Sequence, residues 1–136
     1  MPNRTLDLFA EGPSDFSMPP RSTLYHCRLL GEGTAQQESL LNYLHRLALA
    51  HNLRVMDLLV HIVLPRTNVN LNTGRFRFAS DHARTVNGCS KYAIEISSSL
   101  EQLTGVADLK PATFIYWKNF FDRKAAGLLH PSRRWC

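Results

Sequence analysis

Cysteine is scarce: Cys27, Cys89 and Cys136 are the three in 136 residues. They are too few and too scattered for a disulfide framework, which excludes the small disulfide-stapled class and favours a reducing compartment. Long apolar runs are missing as well. No window approaches eighteen unbroken apolar residues, and Arg4 near the N-terminus has no apolar stretch behind it. Neither a signal peptide nor a membrane span is expected, so no membrane partner is expected either and the cytoplasm is the expected location. The chain also lacks a Gly-rich phosphate loop, paired carboxylates at useful spacing, a His-Glu-x-x-His motif and a nucleophile elbow. Cys89 has no local partner for a nucleophilic pair and suits a small core residue. These gaps favour a protein that is not an enzyme.

Acidic residues run out toward the C-terminus. From residue 110 onward Asp122 stands alone against Lys110, Lys118, Arg123, Lys124, Arg133 and Arg134. The whole chain carries sixteen Lys and Arg against eleven Asp and Glu, a net charge of +5, so residues 1 to 109 balance. A basic segment of this kind suits a phosphate backbone or an acidic protein surface; a solvated tail is the alternative. With 44% apolar residues there is material for one domain with a modest core.

Residues 1–33 hold Pro2, Pro13, Pro19, Pro20, Gly12, Gly31 and Gly33 with only short apolar pieces, and read as an extended arm. At Thr34-Ala35-Gln36-Gln37 the spacing is that of a capping box, which predicts a helix from there to about Ala50. Leu40, Leu41, Leu44, Leu47 and Ala48 form its apolar stripe. His51-Asn52 supplies a turn, because Asn tolerates the left-handed conformation that ends helices. Val55, Leu58, Leu59, Ile62 and Val63 mark a second helix, stopped by Pro65 and packed on the first as a tight corner. Residues 66–87 read as a long connection with some local structure. Ser90 opens a third helix with Ala93, Ile96, Leu100 and Leu103 on one side and Gly105 at its end. Pro111 then starts a fourth, carrying Phe114, Ile115, Trp117, Phe120 and Phe121. Such an aromatic helix is core by default, and any exposed part of it would be a docking surface.

Three features carry functional expectations. Leu103-Thr104-Gly105-Val106 reads as the middle of a helix-turn-helix, whose second helix would present Lys110, Thr113 and Lys118 to nucleic acid. Arg46 and Arg54 could grip a phosphate or a partner carboxylate; the alternative is a tether to a carboxylate such as Glu38 or Asp57. His45, His51 and His61 lack the Cys or carboxylate arrangement of a metal site and suit an interface or surface.

The stretch Glu38-Ser39-Leu40-Leu41-Asn42-Tyr43-Leu44-His45-Arg46-Leu47-Ala48 is followed by a short turn and a second apolar helix. Leu103-Thr104-Gly105 and Arg134-Trp135-Cys136 come after it in order. This succession resembles the TniQ/TnsD family of transposon target-selection proteins, over residues 35 to 65 and 96 to 136. Gln36-Gln37 stands where the family usually has Pro-Gly or a similar pair.

The resemblance implies a mainly α fold with a helix-turn-helix-like domain over residues 34–126, and the start of a truncated zinc-ribbon module at 127–136. Cys136 would be the first ligand of a zinc held by the full-length protein, since one Cys cannot supply the four ligands of a structural site. The implied function is a target-selection adaptor in DNA transposition. Its partners would be an AAA+ transposition regulator, target DNA and, in some members, a CRISPR surveillance complex with its guide RNA. Arg46, Arg54, Lys110, Thr113, Lys118, Arg123, Lys124, Arg133 and Arg134 are the candidate nucleic-acid or partner contacts. An autonomous helix-turn-helix DNA-binding regulator is the alternative, and a small interaction module with no nucleic-acid role is a third reading.

Overall fold

The computed structural model describes residues 21–68 and 83–119. These are mainly helical, with no strand among them. Helix α1 spans Leu40–Ala50 and begins later than the Thr34 spacing predicts. Its N-cap is Ser39, in extended backbone, whose hydroxyl accepts the Asn42 amide. Thr34 and Gln37 do make local side-chain bonds, but they close a turn. The Thr34 hydroxyl donates to the Gly31 carbonyl and accepts the Gln36 amide, while Gln37 Oε1 accepts from the Gly33 amide. With Gly31 and Gly33 both at positive φ, this turn closes more readily than a helix propagates.

The end of α1 follows the sequence closely. Asn52 has φ 54°, its amide returns to the Leu49 carbonyl, and the Leu53 amide returns to Ala48 at 2.9 Å. This pair of bonds is the Schellman arrangement that uses up the last carbonyls of a helix. Four residues later α2 (Val55–Arg66) sets off after a bend of 99°. No single helix among the described residues is long and apolar enough to cross a membrane; only the bent pair of α1 and α2 passes on length and composition.

Pro65 does not simply stop α2. The helix is α-helical over Val55–Leu58, widens to a π turn over Leu59–Val63, and tightens to a 3-10 turn over Leu64–Arg66 that contains the proline. Proline has no amide to donate and its ring crowds the carbonyl four residues back, so the chain changes gauge around it. The register of the buried face changes too. Leu58, Leu59, Val63 and Leu64 are buried, five residues apart in pairs, and Ile62 is left half-buried.

Helix α3 (Ala83–Asn87) is short, and α4 (Lys91–Thr104) is the longest among the described residues. Ser90 precedes α4 in extended backbone without a side-chain cap, and Gly105, at φ 70°, ends it. Ala93, Ile96, Leu100 and Leu103 are buried, as their spacing predicts. The expected fourth helix is replaced by two 3-10 turns, Lys110–Ala112 and Ile115–Trp117. Asp108 caps the first by accepting the Lys110 amide, and the Thr113 hydroxyl donates back to the Lys110 carbonyl. These side-chain bonds to backbone compete with helix propagation at that point. Phe120 and Phe121 lie outside the described residues.

One core joins the four described helices. Leu40, Tyr43, Leu44 and Leu47 of α1 meet Leu58, Leu59 and Val63 of α2, Val86 of α3 and Ile96, Leu100 and Leu103 of α4. The described part of the expected arm, residues 21–33, contributes to it. Leu24 and Leu29 are buried in this cluster, and the Leu24 amide donates to the Leu103 carbonyl at 2.8 Å. Residues 1–20 lie outside the described residues.

Candidate functional site

The exposed side of the α1–α2 corner forms a groove of about 980 Å³. Leu30, Leu49, Leu53, Val55 and Met56 give it apolar surface, and Gln36, Gln37, Glu38, Asn42, His45, Arg46 and Arg54 give it polar surface. Leu49 is 80% exposed, an unusual place for a leucine on a helix whose other leucines are buried.

Both candidate arginines line this groove, and both carry a carboxylate partner. Arg46 donates from Nη2 to Glu38 Oε1 and to the Arg28 carbonyl, and from Nε to Glu38 Oε2. The Glu38 hydrogen bond raises the Arg46 pKa, against the opposing effect of burial. Glu38 Oε1 also accepts the Leu30 amide at 2.8 Å, so one carboxylate ties residues 28–30 to α1. Arg54 pairs with Asp57 at 2.8 Å in the open, where such a pair contributes little to stability. Arg46 and Arg54 are therefore tethers first. The groove is an apolar surface with balanced charge around it, better matched to a protein than to a phosphate.

Residues 24–26 bind the ends of two helices. The Tyr25 amide donates to His51 Nε2 at 3.0 Å and the two rings stack with centroids 4.3 Å apart. His26 Nδ1 lies 3.1 Å from the Thr104 carbonyl, which requires the proton on Nδ1. His51 is thus a structural partner, while His61 is exposed. Tyr25 and His26 sit in a stretch with no periodicity, which is why sequence reasoning missed them.

The second candidate surface follows α4. The helix-turn-helix reading needs a helix after Gly105, and a three-residue 3-10 turn stands there instead. Thr113 is buried, its hydroxyl spent on the Lys110 carbonyl and the Ile115 amide, so it is not available for contact. Lys110 is half-buried and Lys118 is exposed. The aromatic residues expected in the core are outside it: Phe114 is 37%, Tyr116 60% and Trp117 55% exposed. Tyr116 donates its hydroxyl to Asp108 at 2.8 Å, a bond that raises its pKa.

Asn87 locks this segment to the core. Its side-chain oxygen accepts the Leu41 amide in the first turn of α1, and its carbonyl accepts the Phe114 amide. Glu101 does similar work, accepting the Leu109 amide at 2.8 Å. Neither role is readable from local pattern, since each partner is remote or across a turn.

Arg123, Lys124, Arg133, Arg134 and Cys136 lie outside the described residues. Among the described residues no group of three or more His, Cys, Asp or Glu could hold a metal ion, so zinc finds no ligand set there. Cys27 and Cys89 are free thiols. No family model and no curated protein matches the chain.

Proposed function

We propose that this chain is the helical part of a non-enzymatic target-selection adaptor in DNA transposition, similar to TniQ/TnsD proteins. It links a target-recognition module, either DNA itself or an RNA-guided CRISPR complex, to an AAA+ transposition regulator. The observation that carries the reading is the groove beside α1. The helix with the family-like residues Glu38, Ser39, Leu44, Arg46 and Leu47 buries Leu44 and Leu47, uses Glu38 and Arg46 to fasten its flank, and leaves Leu49 bare beside Leu53 and Leu30. An apolar groove with a polar rim and a matched ion pair is what a protein partner fits. The 99° corner between α1 and α2 across a four-residue turn is the tight helical corner expected of this part of the chain, and it supports a helical docking domain.

In this reading the basic residues from Lys118 onward approach nucleic acid. Cys136 would be the first ligand of a zinc whose other ligands belong to the full-length protein, a metal that would fold that end of it. The autonomous regulator is less well supported, because the segment after Gly105 that was to supply its recognition helix is a 3-10 turn with Thr113 buried. Co-purification of the full-length protein with an AAA+ regulator or a CRISPR effector encoded beside it tests the proposal. Failure to retain both counts against it.

A further inference from the structure

The floor of the groove is one face of α1, on which Asn42, His45, Arg46 and Leu49 recur at i, i+3, i+4 and i+7. Leu30 and Gln36 to Glu38 close it near the start of that helix, where the Leu30 amide meets the Glu38 carboxylate. Leu53 to Met56 close it near the end, where the Leu53 amide returns to Ala48. Its apolar surface gathers at this second end, with Leu49, Leu53, Val55 and Met56. The groove volume of about 980 Å³ is close to that of two turns of helix, a cylinder about 10 Å across and about 11 Å long, or roughly 850 Å³.

The walls favour a helix over an extended chain. At the first end the backbone amides are spent: Leu30 on the Glu38 carboxylate, Gln36 on the Thr34 hydroxyl, Gln37 on the Thr34 carbonyl and Glu38 on the Leu30 carbonyl. A strand would find no amide there to pair with, and no sheet edge exists among the described residues. A helix satisfies its own backbone and asks the groove only for side-chain contact.

The charge around the groove balances in sum but not in what it presents. Glu38 is the single acid lining it among the described residues, and that side chain is 8% exposed, with its oxygens engaged by Arg46 and the Leu30 amide. The Arg46 side chain is 31% exposed and that of Arg54 86%, and Asp57, the partner of Arg54, does not line the groove. A docking chain therefore meets guanidinium groups and a carboxylate already engaged. Acidic side chains beside apolar anchors complement this arrangement, whereas basic ones would face like charge.

We propose that the groove takes about two turns of an acidic amphipathic helix from a partner protein, with apolar side chains on Leu49, Leu53 and Met56 and carboxylates toward Arg46 and Arg54. The inference rests on the reading of the groove as a docking surface, and it names the chemistry of what docks.

The test uses the full chain and three labelled, end-blocked peptides of about sixteen residues, long enough to form helix. Each has an alanine framework. The first has Leu at i, i+3, i+4 and i+7 with Glu at flanking positions, the second has Lys in place of Glu, and the third has Glu with every Leu replaced by Ser. By fluorescence anisotropy at low salt the acidic Leu peptide should bind at least about tenfold more tightly than the basic one, and the Ser peptide should not bind. Leu49→Glu should weaken the acidic peptide by at least about tenfold. Arg54→Glu, at an exposed site, should shrink the preference for acid by about threefold or more, with circular dichroism and thermal unfolding of both variants as in the parent. A basic peptide that binds as well as the acidic one, or acidic binding unchanged in Leu49→Glu, overturns the inference. So does the binding of no peptide; if an AAA+ regulator is then still retained by the parent and lost in Leu49→Glu, the adaptor reading stands without this occupant. Self-association that Leu49→Glu dissolves, with no peptide bound, assigns the groove to a second copy and overturns the inference as well. Acidic peptide bound as expected, with no regulator retained, upholds the inference and counts against the adaptor reading.

Discussion

Glu38 and Arg46 are eight residues apart, yet the carboxylate of one and the guanidinium of the other form a two-point contact that also holds residues 28–30. The side chain of Glu38 is 8% exposed and that of Arg46 31%. Such a half-buried pair matters less for its own attraction than for what is stranded when one member goes.

Glu38→Ala leaves the guanidinium without its partner and the Leu30 amide without its acceptor. It should lower the unfolding free energy by about 2 kcal/mol, whereas Arg46→Met, which keeps the aliphatic stem, should cost about 1 kcal/mol. Urea unfolding followed by circular dichroism checks both. Equal costs near zero would mean that the pair is a surface contact only.

The two ends of α1 show how far pattern reading reaches. The apolar stripe and the Asn52 turn were legible because each depends on neighbours in sequence. The start was misplaced because a Thr-x-x-Gln spacing serves a closed turn as well as a capping box, and the two positive-φ glycines that decide between them lie upstream. Leu24 and Leu29 were unreadable for a different reason. Their burial depends on a backbone bond from Leu24 to Leu103, far along the chain. Of the two readings of the aromatic segment, the default of core fails for Phe114, Tyr116 and Trp117, because aromatic content reports affinity for burial while Asp108, Thr113 and Asn87 fix where the segment goes.

The glycines give a ranked test. Gly105 at φ 70° has room for a Cβ, with His26 Nδ1 3.7 Å away, so Gly105→Ala should cost only the left-handed strain, about 1 kcal/mol. Gly31 at φ 64° has no such room, since a Cβ would lie 2.7 Å from the Gln36 carbonyl oxygen. Gly31→Ala should cost about 2 kcal/mol or more, the strain plus the clash. Thermal unfolding of the two variants side by side gives the order.

The widened turn of α2 makes its own prediction. An uninterrupted α-helix would place Ile62 in the core, but the π turn buries Leu64 instead. Leu64→Ala should therefore cost about 2–3 kcal/mol and Ile62→Ala about 1 kcal/mol. The reverse order in denaturant unfolding would place the ordinary helical face inward.

Tyr43 is wholly buried, and its hydroxyl makes no hydrogen bond of good geometry. Tyr43→Phe should then be neutral or stabilising, within about 0.5 kcal/mol of wild type on the unfavourable side. Burial raises the Tyr43 pKa, with the Thr104 hydroxyl acting in the opposite sense. A raised value means that the neutral phenol is the form the fold keeps. The associated stability is present below the ordinary tyrosine range, near pH 10, and is lost as pH rises through the higher folded value. Absorbance at 295 nm during alkaline titration should show one tyrosine ionising late, together with unfolding, and that late step should vanish in Tyr43→Phe.

The most direct test of the proposed adaptor account is the affinity of the full-length protein for an AAA+ transposition regulator, should one be encoded beside it, compared with Leu49→Glu. Leu49 is 80% exposed, so the substitution leaves the core untouched and places a charge in the groove beside α1. Calorimetry should show a regulator complex with the wild-type protein and binding at least about tenfold weaker for the variant, the loss of a central apolar contact, with unfolding unchanged. A regulator that binds both proteins alike, or neither, would contradict the assignment of the groove as its docking site.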